Sequence, residues 1–328
     1  MMSNERIRPD IVENFHLTVG EIARQYMLLP ANCPNILFHY TTMAGLEGIL
    51  RSGGLRATYR MKMNDSGEFD YAQRIIYEAM KEVEQQGKLP RVAMSLLKYT
   101  RLNLNDKLKN TPDQSRSYCA CLTLESDHPN QWESYAEHGK GVAIGFDLRK
   151  LFQAQVERKM NGMPILMFGP VTYEELDQQK LVLRLVEAGI KDLQLFSRTI
   201  SSISTDIVAL RDKITEELIV YLFVLINFIK RPSFGSEREI RLMINANDGT
   251  LLAPDVQYYK RGDDSVPYVL IDLITPKTGL IPIEEIKIGP KVPVGQARRF
   301  IGDLILQLGY GNRNEYWPQI SQSRLVAE

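Results

Sequence analysis

Cysteine is scarce, with three among 328 residues. Cys33 stands alone and Cys119 and Cys121 lie two apart, which excludes the disulfide framework that staples small secreted domains. Cys119 and Cys121 sit in an apolar run, where period-two alternation puts both on one strand face as core packing. A structural zinc site wants about four ligands, and His16, His39, His128 and His138 share no ligand spacing with the cysteines, so no metal is expected. Charge of one sign is missing too: 40 Lys+Arg balance 40 Asp+Glu. That leaves no long-range field for gripping nucleic acid in bulk. Long apolar runs are absent. The longest, Leu218 to Ile226 with Phe228 and Ile229 beyond it, falls short of the roughly 20 residues that span a bilayer, and Met1 to Asp10 lacks the apolar core of a signal peptide. A cytoplasmic protein without membrane contact is expected. No Walker A sequence occurs, and Gly139, Gly141 and Gly145 miss the dinucleotide spacing by one residue.

What is present is an ordinary globular composition, 44% hydrophobic and 24% charged. Ile36 to Tyr40 reads as a strand, after which Thr41 or Thr42 caps a helix whose Leu46, Ile49 and Leu50 share one face. Ser52-Gly53-Gly54 ends that helix and Leu55 to Tyr59 resumes as a strand. Strand patterns return within about 118–173 and 237–289, helical patterns fill about 66–109 and 174–229, and an amphipathic helix covers about 293–308. No repeat or low-complexity linker divides the chain. The expectation is a single α+β domain over 1–328 with a large helical insertion.

Four constellations stand out. Phe38-His39-Tyr40-Thr41-Thr42 ends a strand just before a helix, where side chains and free amides can meet a ligand, although a packed His39 and a capping threonine explain the same residues. Asn64-Asp65 with Glu68 opens the next helix and also reads as a capping turn. Trp132 and Tyr135, three apart on a short helix, present two rings on one face before Gly139-Lys140-Gly141. Glu237-Arg238-Glu239-Ile240-Arg241-Leu242 alternates, placing Glu237, Glu239 and Arg241 on one face and Ile240 and Leu242 on the other. The two glutamates then lie roughly 7 Å apart.

In this order the motifs resemble a bacterial family listed as domain of unknown function number 2971. They are His39-Tyr40-Thr41, Ile49 to Gly53, Asn64-Asp65 with Glu68, Cys121-Leu122-Thr123, Trp132 to Tyr135, Gly141 to Phe146, and Glu237 to Leu242. The opening segment, Leu37 to Tyr59, also resembles the first motif of ADP-ribosyltransferases. That second resemblance implies a split mixed or antiparallel sheet core carrying the helical insertion, and NAD as substrate. It implies that His39 holds the ribose, that Tyr40 or Tyr135 stacks on nicotinamide, and that Glu239, with Glu237 as substitute, is the catalytic carboxylate. Thr41, Asn64, Asp65 and Trp132 complete the candidate NAD site, and Arg241 or Arg56 faces the pyrophosphate. The acceptor is protein, nucleic acid or water, in the setting of a bacterial toxin or phage-defence effector. Two rivals predict other chemistry: a binding module without turnover, and a nuclease or hydrolase holding a divalent metal with Asp65, Glu68, Glu237 and Glu239.

Overall fold

A computed structural model describes residues 35–63, 67–85, 89–110, 116–160, 166–199, 204–246, 255–311 and 317–325. Asn64, Asp65, His16 and Cys33 lie outside them. The described residues are mixed helix and strand and fall into two compact units, one within 64–114 and 169–235, the other within 29–63, 115–168 and 236–328.

The first unit is helical: α2 (Glu68–Gln85), α3 (Arg91–Asn110), α6 (Glu175–Thr199) and α7 (Ser204–Ile226). Apolar residues three and four apart form its core, among them Ile75, Ile76 and Met80 of α2, Leu96 and Leu97 of α3, Val182 and Val186 of α6, and Leu218 and Leu222 of α7. Each such side chain contributes about 1.5–3 kcal/mol when fully buried. One buried amide ties several parts of the unit together. The Gln178 side chain accepts from the Tyr71 hydroxyl and donates to the carbonyls of Thr172, Tyr173 and Lys230. No helix among the described residues is long and apolar enough to cross a membrane.

Among the described residues, the second unit is built on ten strands. β1 (Ile36–Thr41) leads into α1 (Met43–Ser52), where the Thr42 hydroxyl caps the Gly45 amide and Gly53, at φ +74°, returns its own amide to the Ile49 carbonyl. A side chain at Gly53 would be strained in that left-handed turn. The chain continues through β2 (Gly54–Tyr59), β3 (Arg116–Thr123), the short helix α4 (Pro129–Tyr135), β4 (Val142–Asp147), α5 (Leu148–Met160), β5 (Leu166–Pro170), β6 (Glu239–Ala246), β7 (Val256–Arg261), β8 (Asp264–Asp272), β9 (Ile283–Ile288), α8 (Val294–Gln307) and β10 (Gln319–Gln322). The strand path is β10-β9-β4-β1-β3-β2-β8-β7, with β6 on β3 and β5 on β6. The sheet is mixed, because β10 runs parallel to β9 while the ladders of β1, β3 and β4 are antiparallel.

β3 organises this sheet. One of its edges pairs with β6 along the whole strand, from Arg116↔Ala246 to Thr123↔Glu239. Its other edge is shared, with β1 meeting it at Phe38↔Thr123 and β2 at Thr58↔Cys119 and Tyr59↔Tyr118. Between those points β1 turns to β4 and β2 to β8, so the sheet forks beside Ala120, Cys121 and Leu122. The apolar face, with Leu37, Leu122, Ile240 and Leu242, joins Leu46, Ile49 and Leu50 of α1 in the main core.

Candidate active site at the fork of the sheet

Directly paired residues share a face and sequence neighbours alternate. The registers therefore put Phe38, Tyr40, Arg56, Thr58, Cys119, Cys121, Thr123, Glu239 and Arg241 on one face, and Leu37, His39, Thr41, Leu122 and Ile240 on the other. His39 and Glu239 are not brought together on one face. His39 sits at the fork, where its Nδ1 lies 2.9 Å from the Cys121 carbonyl. A carbonyl only accepts, so Nδ1 carries the proton and donates. Burial holds the imidazole below its usual range against the opposing pull of that hydrogen bond, which keeps the ring neutral. The ring thereby occupies the carbonyl of β3 where β1 and β2 part.

The two glutamates have different fates. Glu239 is buried and bound by Arg241 in a two-pronged pair, Nε to Oε1 at 2.9 Å and Nη2 to Oε2 at 3.1 Å. The Arg241 side chain is 0% exposed. A guanidinium committed in this way neutralises Glu239 and is turned to it, not to a pyrophosphate in solvent. Glu237 is half-buried and precedes the strand, at the end of a 3₁₀ turn over Pro232–Glu237. Arg238 adopts φ +43°, so the regular alternation expected through Glu237-Arg238-Glu239 is interrupted and Glu237 leaves the ladder. Its carbonyl accepts from the Thr123 hydroxyl at 2.6 Å and the Gln131 amide at 3.2 Å. Its carboxylate accepts from the Tyr135 hydroxyl at 3.1 Å. Partial burial, then the neighbouring Glu237, Cys121 and Glu239, push the Tyr135 phenol upward, so it acts as a hydrogen-bond donor at neutral pH.

Trp132 and Tyr135 share a helix but not an environment. Trp132 is buried, with its indole N–H 2.7 Å from Asp127, whereas Tyr135 is 39% exposed. Tyr40 is buried against Trp132, ring centroids 4.7 Å apart and edge to face. Its hydroxyl donates to the Glu125 carbonyl and accepts from the His128 amide. Of these three rings, Tyr135 is the exposed one. Thr41 is half-buried at the end of β1, and its carbonyl abuts Gly141, where a Cβ would collide with it. Glu68 is buried in α2 of the helical unit. Arg56 is exposed, its guanidinium 5.6 Å from the Tyr259 ring and 5.1 Å from the Tyr268 ring.

Residues that sequence reasoning passed over surround this contact. Among the described residues the non-glycine residues with positive φ are Glu137, His138 and Arg238, the first two following Tyr135 and the third following Glu237. Left-handed geometry costs roughly 1–2 kcal/mol at each such residue, and strain of this kind collects at functional sites. The Cys121 thiol lies 3.8 Å from that of Cys119; that contact, then burial and Glu239, push it well above its usual range, so it is no ready nucleophile. No group of three or more His, Cys, Asp or Glu that would hold a metal occurs among the described residues.

Residues 131–242, from Gln131 of α4 to Leu242 of β6, match the model of the family described as Protein of unknown function (DUF2971). The match spans the Trp132–Tyr135, Gly141–Phe146 and Glu237–Leu242 motifs. No curated protein and no solved structure matches the chain.

Proposed function

We propose that the chain cleaves the nicotinamide–ribose bond of NAD and passes ADP-ribose to an acceptor or to water, with Glu237 as the catalytic carboxylate. The observation that carries this reading is the half-buried Glu237, clamped through its backbone by Thr123 and Gln131 and through its carboxylate by Tyr135. A fixed carboxylate is suited to a reaction that develops positive charge. As the glycosidic bond breaks, its electron pair leaves with nicotinamide as a neutral base and the ribose becomes oxocarbenium-like, so a carboxylate beside the ribose binds the transition state more strongly than the ground state. The acceptor oxygen or nitrogen then bonds to the ribose carbon and releases one proton. No acid is needed for the leaving group.

Other features support the reading with reassigned roles. We read the fork beside β3 as the split of the sheet that the ADP-ribosyltransferase resemblance implies. Arg56, exposed beside the Tyr259 and Tyr268 rings on the same face as Glu239, takes the diphosphate, the task first shared with Arg241. Tyr135 is the stacking or positioning ring. His39 acts on the site through β3, by holding the Cys121 carbonyl, and is a positioning residue. Glu239 and Arg241 anchor the strand that presents Glu237.

The test is incubation of the purified chain with NAD labelled in the adenosine moiety, with and without cell lysate, measuring free nicotinamide and labelled macromolecules. Turnover by the wild type that is lost in Glu237→Gln, at unchanged melting temperature, supports the assignment. Absence of both products, together with no effect of NAD on the melting temperature, removes it.

A further inference from the structure

Outside the proposed catalytic contact, one half-buried carboxylate joins distant parts of the sheet unit. Asp127 lies in the loop between β3 and α4. Its Oδ1 accepts from the Trp132 indole and from the Ser323 hydroxyl, each at 2.7 Å, and its Oδ2 accepts from the Arg324 amide at 2.7 Å. The partners come from two places, α4 on one side and the segment after β10 on the other. That segment is itself fastened. β10 pairs with β9 from Gln319↔Glu285 to Gln322↔Ile288, the Ser323 amide donates to the Ile288 carbonyl, and the Ser323 hydroxyl also accepts from the Leu325 amide. Leu325 packs against the cluster of Phe38, Tyr40, Trp132, Ala136 and Ala143. Ser323 is buried, so its hydroxyl is not idling in solvent.

We infer that residues Gln319–Leu325 form a strap that, through Asp127 as a positioning residue, sets the placement of α4 and hence of Tyr135 against Glu237. The inference rests on the catalytic reading of Glu237. The geometric reason is short: Trp132 and Tyr135 are three residues apart on a seven-residue helix, so a shift that frees the indole also moves the phenol. Burial opposes ionisation of Asp127, but the hydrogen bonds from Arg324, Ser323 and Trp132 outweigh it and hold the carboxyl below its usual range, so the latch is closed at neutral pH.

The experiment uses the full chain carrying Trp317→Phe, which leaves Trp132 as the reporting tryptophan of the two in the sequence. Asp127→Asn and Ser323→Ala should each move Trp132 emission to longer wavelength and lower kcat about tenfold while KM changes less than about twofold, as loss of one charge-assisted hydrogen bond at a positioning residue would. Ser323→Thr, which keeps the hydroxyl, should restore both. Unchanged emission and kcat in Asp127→Asn and Ser323→Ala would overturn the strap, as would a fall in melting temperature with kcat per folded molecule preserved. If the wild type releases no nicotinamide, the NAD reading fails by itself. The strap is then judged by emission and by amide exchange over 131–136: faster exchange in Ser323→Ala sustains it and unchanged exchange refutes it.

Discussion

The helical unit and the sheet unit each bury a polar hub, yet they use it differently. In the helical unit Gln178 satisfies its neighbours with neutral hydrogen bonds, and the described helices carry no non-glycine residue at positive φ. The sheet unit buries an ion pair, Glu239 with Arg241, and concentrates left-handed backbone at Glu137, His138 and Arg238. Among the described residues, left-handed non-glycine backbone lies in the sheet unit, beside a half-exposed carboxylate. Stability without strain is what packing alone selects. Strain beside an accessible charge is what a site requires.

The sharpest way to break that comparison is to remove one partner of each hub. Arg241→Ala leaves a buried carboxylate and should cost about 3–5 kcal/mol, read as a loss of urea midpoint. Gln178→Ala leaves buried carbonyls and the Tyr71 hydroxyl without their partner, and should cost about 2–3 kcal/mol. Equal losses would erase the distinction between ionic and neutral hubs. Next in size is Glu237→Gln, expected to lower nicotinamide release on the order of a hundredfold while the urea midpoint stays within error. A parallel fall of both would make Glu237 structural.

Backbone strain can be tested by matched glycines. Glu137→Gly or Arg238→Gly should stabilise the sheet unit by up to about 1 kcal/mol and slow turnover. Glu216→Gly, in the middle of α7, should destabilise the helical unit by about 1 kcal/mol. Destabilisation at all three positions would mean that the left-handed residues carry no strain. The smallest effect concerns His39. Its folded value lies below the unfolded value near 6.5, so below that pH the unfolded chain binds the extra proton first. Its stabilising contribution is complete above about 6.5 and is lost as pH falls through the folded value. Urea midpoints from pH 8 to pH 5 should therefore decline more steeply in the wild type than in His39→Gln.

Much of this architecture was legible in the residues. The spacing of Leu46, Ile49 and Leu50 and the alternation of Ile240 and Leu242 correspond to α1 and to the core face of β6. Four features were not legible. α5 begins at Leu148 with Asp147 accepting from the Lys150 amide, a capping signal, but Phe152 of its apolar series is 58% exposed. β10 has no alternating apolar pattern, because its definition comes from its parallel partner β9. The third is the separation of Glu237 from Glu239. Alternation presumes extended backbone, and nothing in the letters Glu-Arg-Glu announces that the middle residue is left-handed. Asp127 was passed over for a similar reason: before His128-Pro129 it resembles an ordinary turn residue, and its partners Ser323 and Arg324 lie nearly two hundred positions away.

The late position of β10 has a consequence for the order of events during synthesis. The described helices of the helical unit are complete in the chain once Ile226 has been made, whereas β9 waits for Gln319–Gln322 to cover its free edge. From Ile288 to Gln322, at ordinary rates of translation, that wait is on the order of two to seven seconds. Until then the nascent chain presents a bare strand edge and an unfastened α4 to whatever is nearby. The last strand is therefore also the protection of the growing sheet against foreign strands, and a pause in translation before it would favour aggregation over completion.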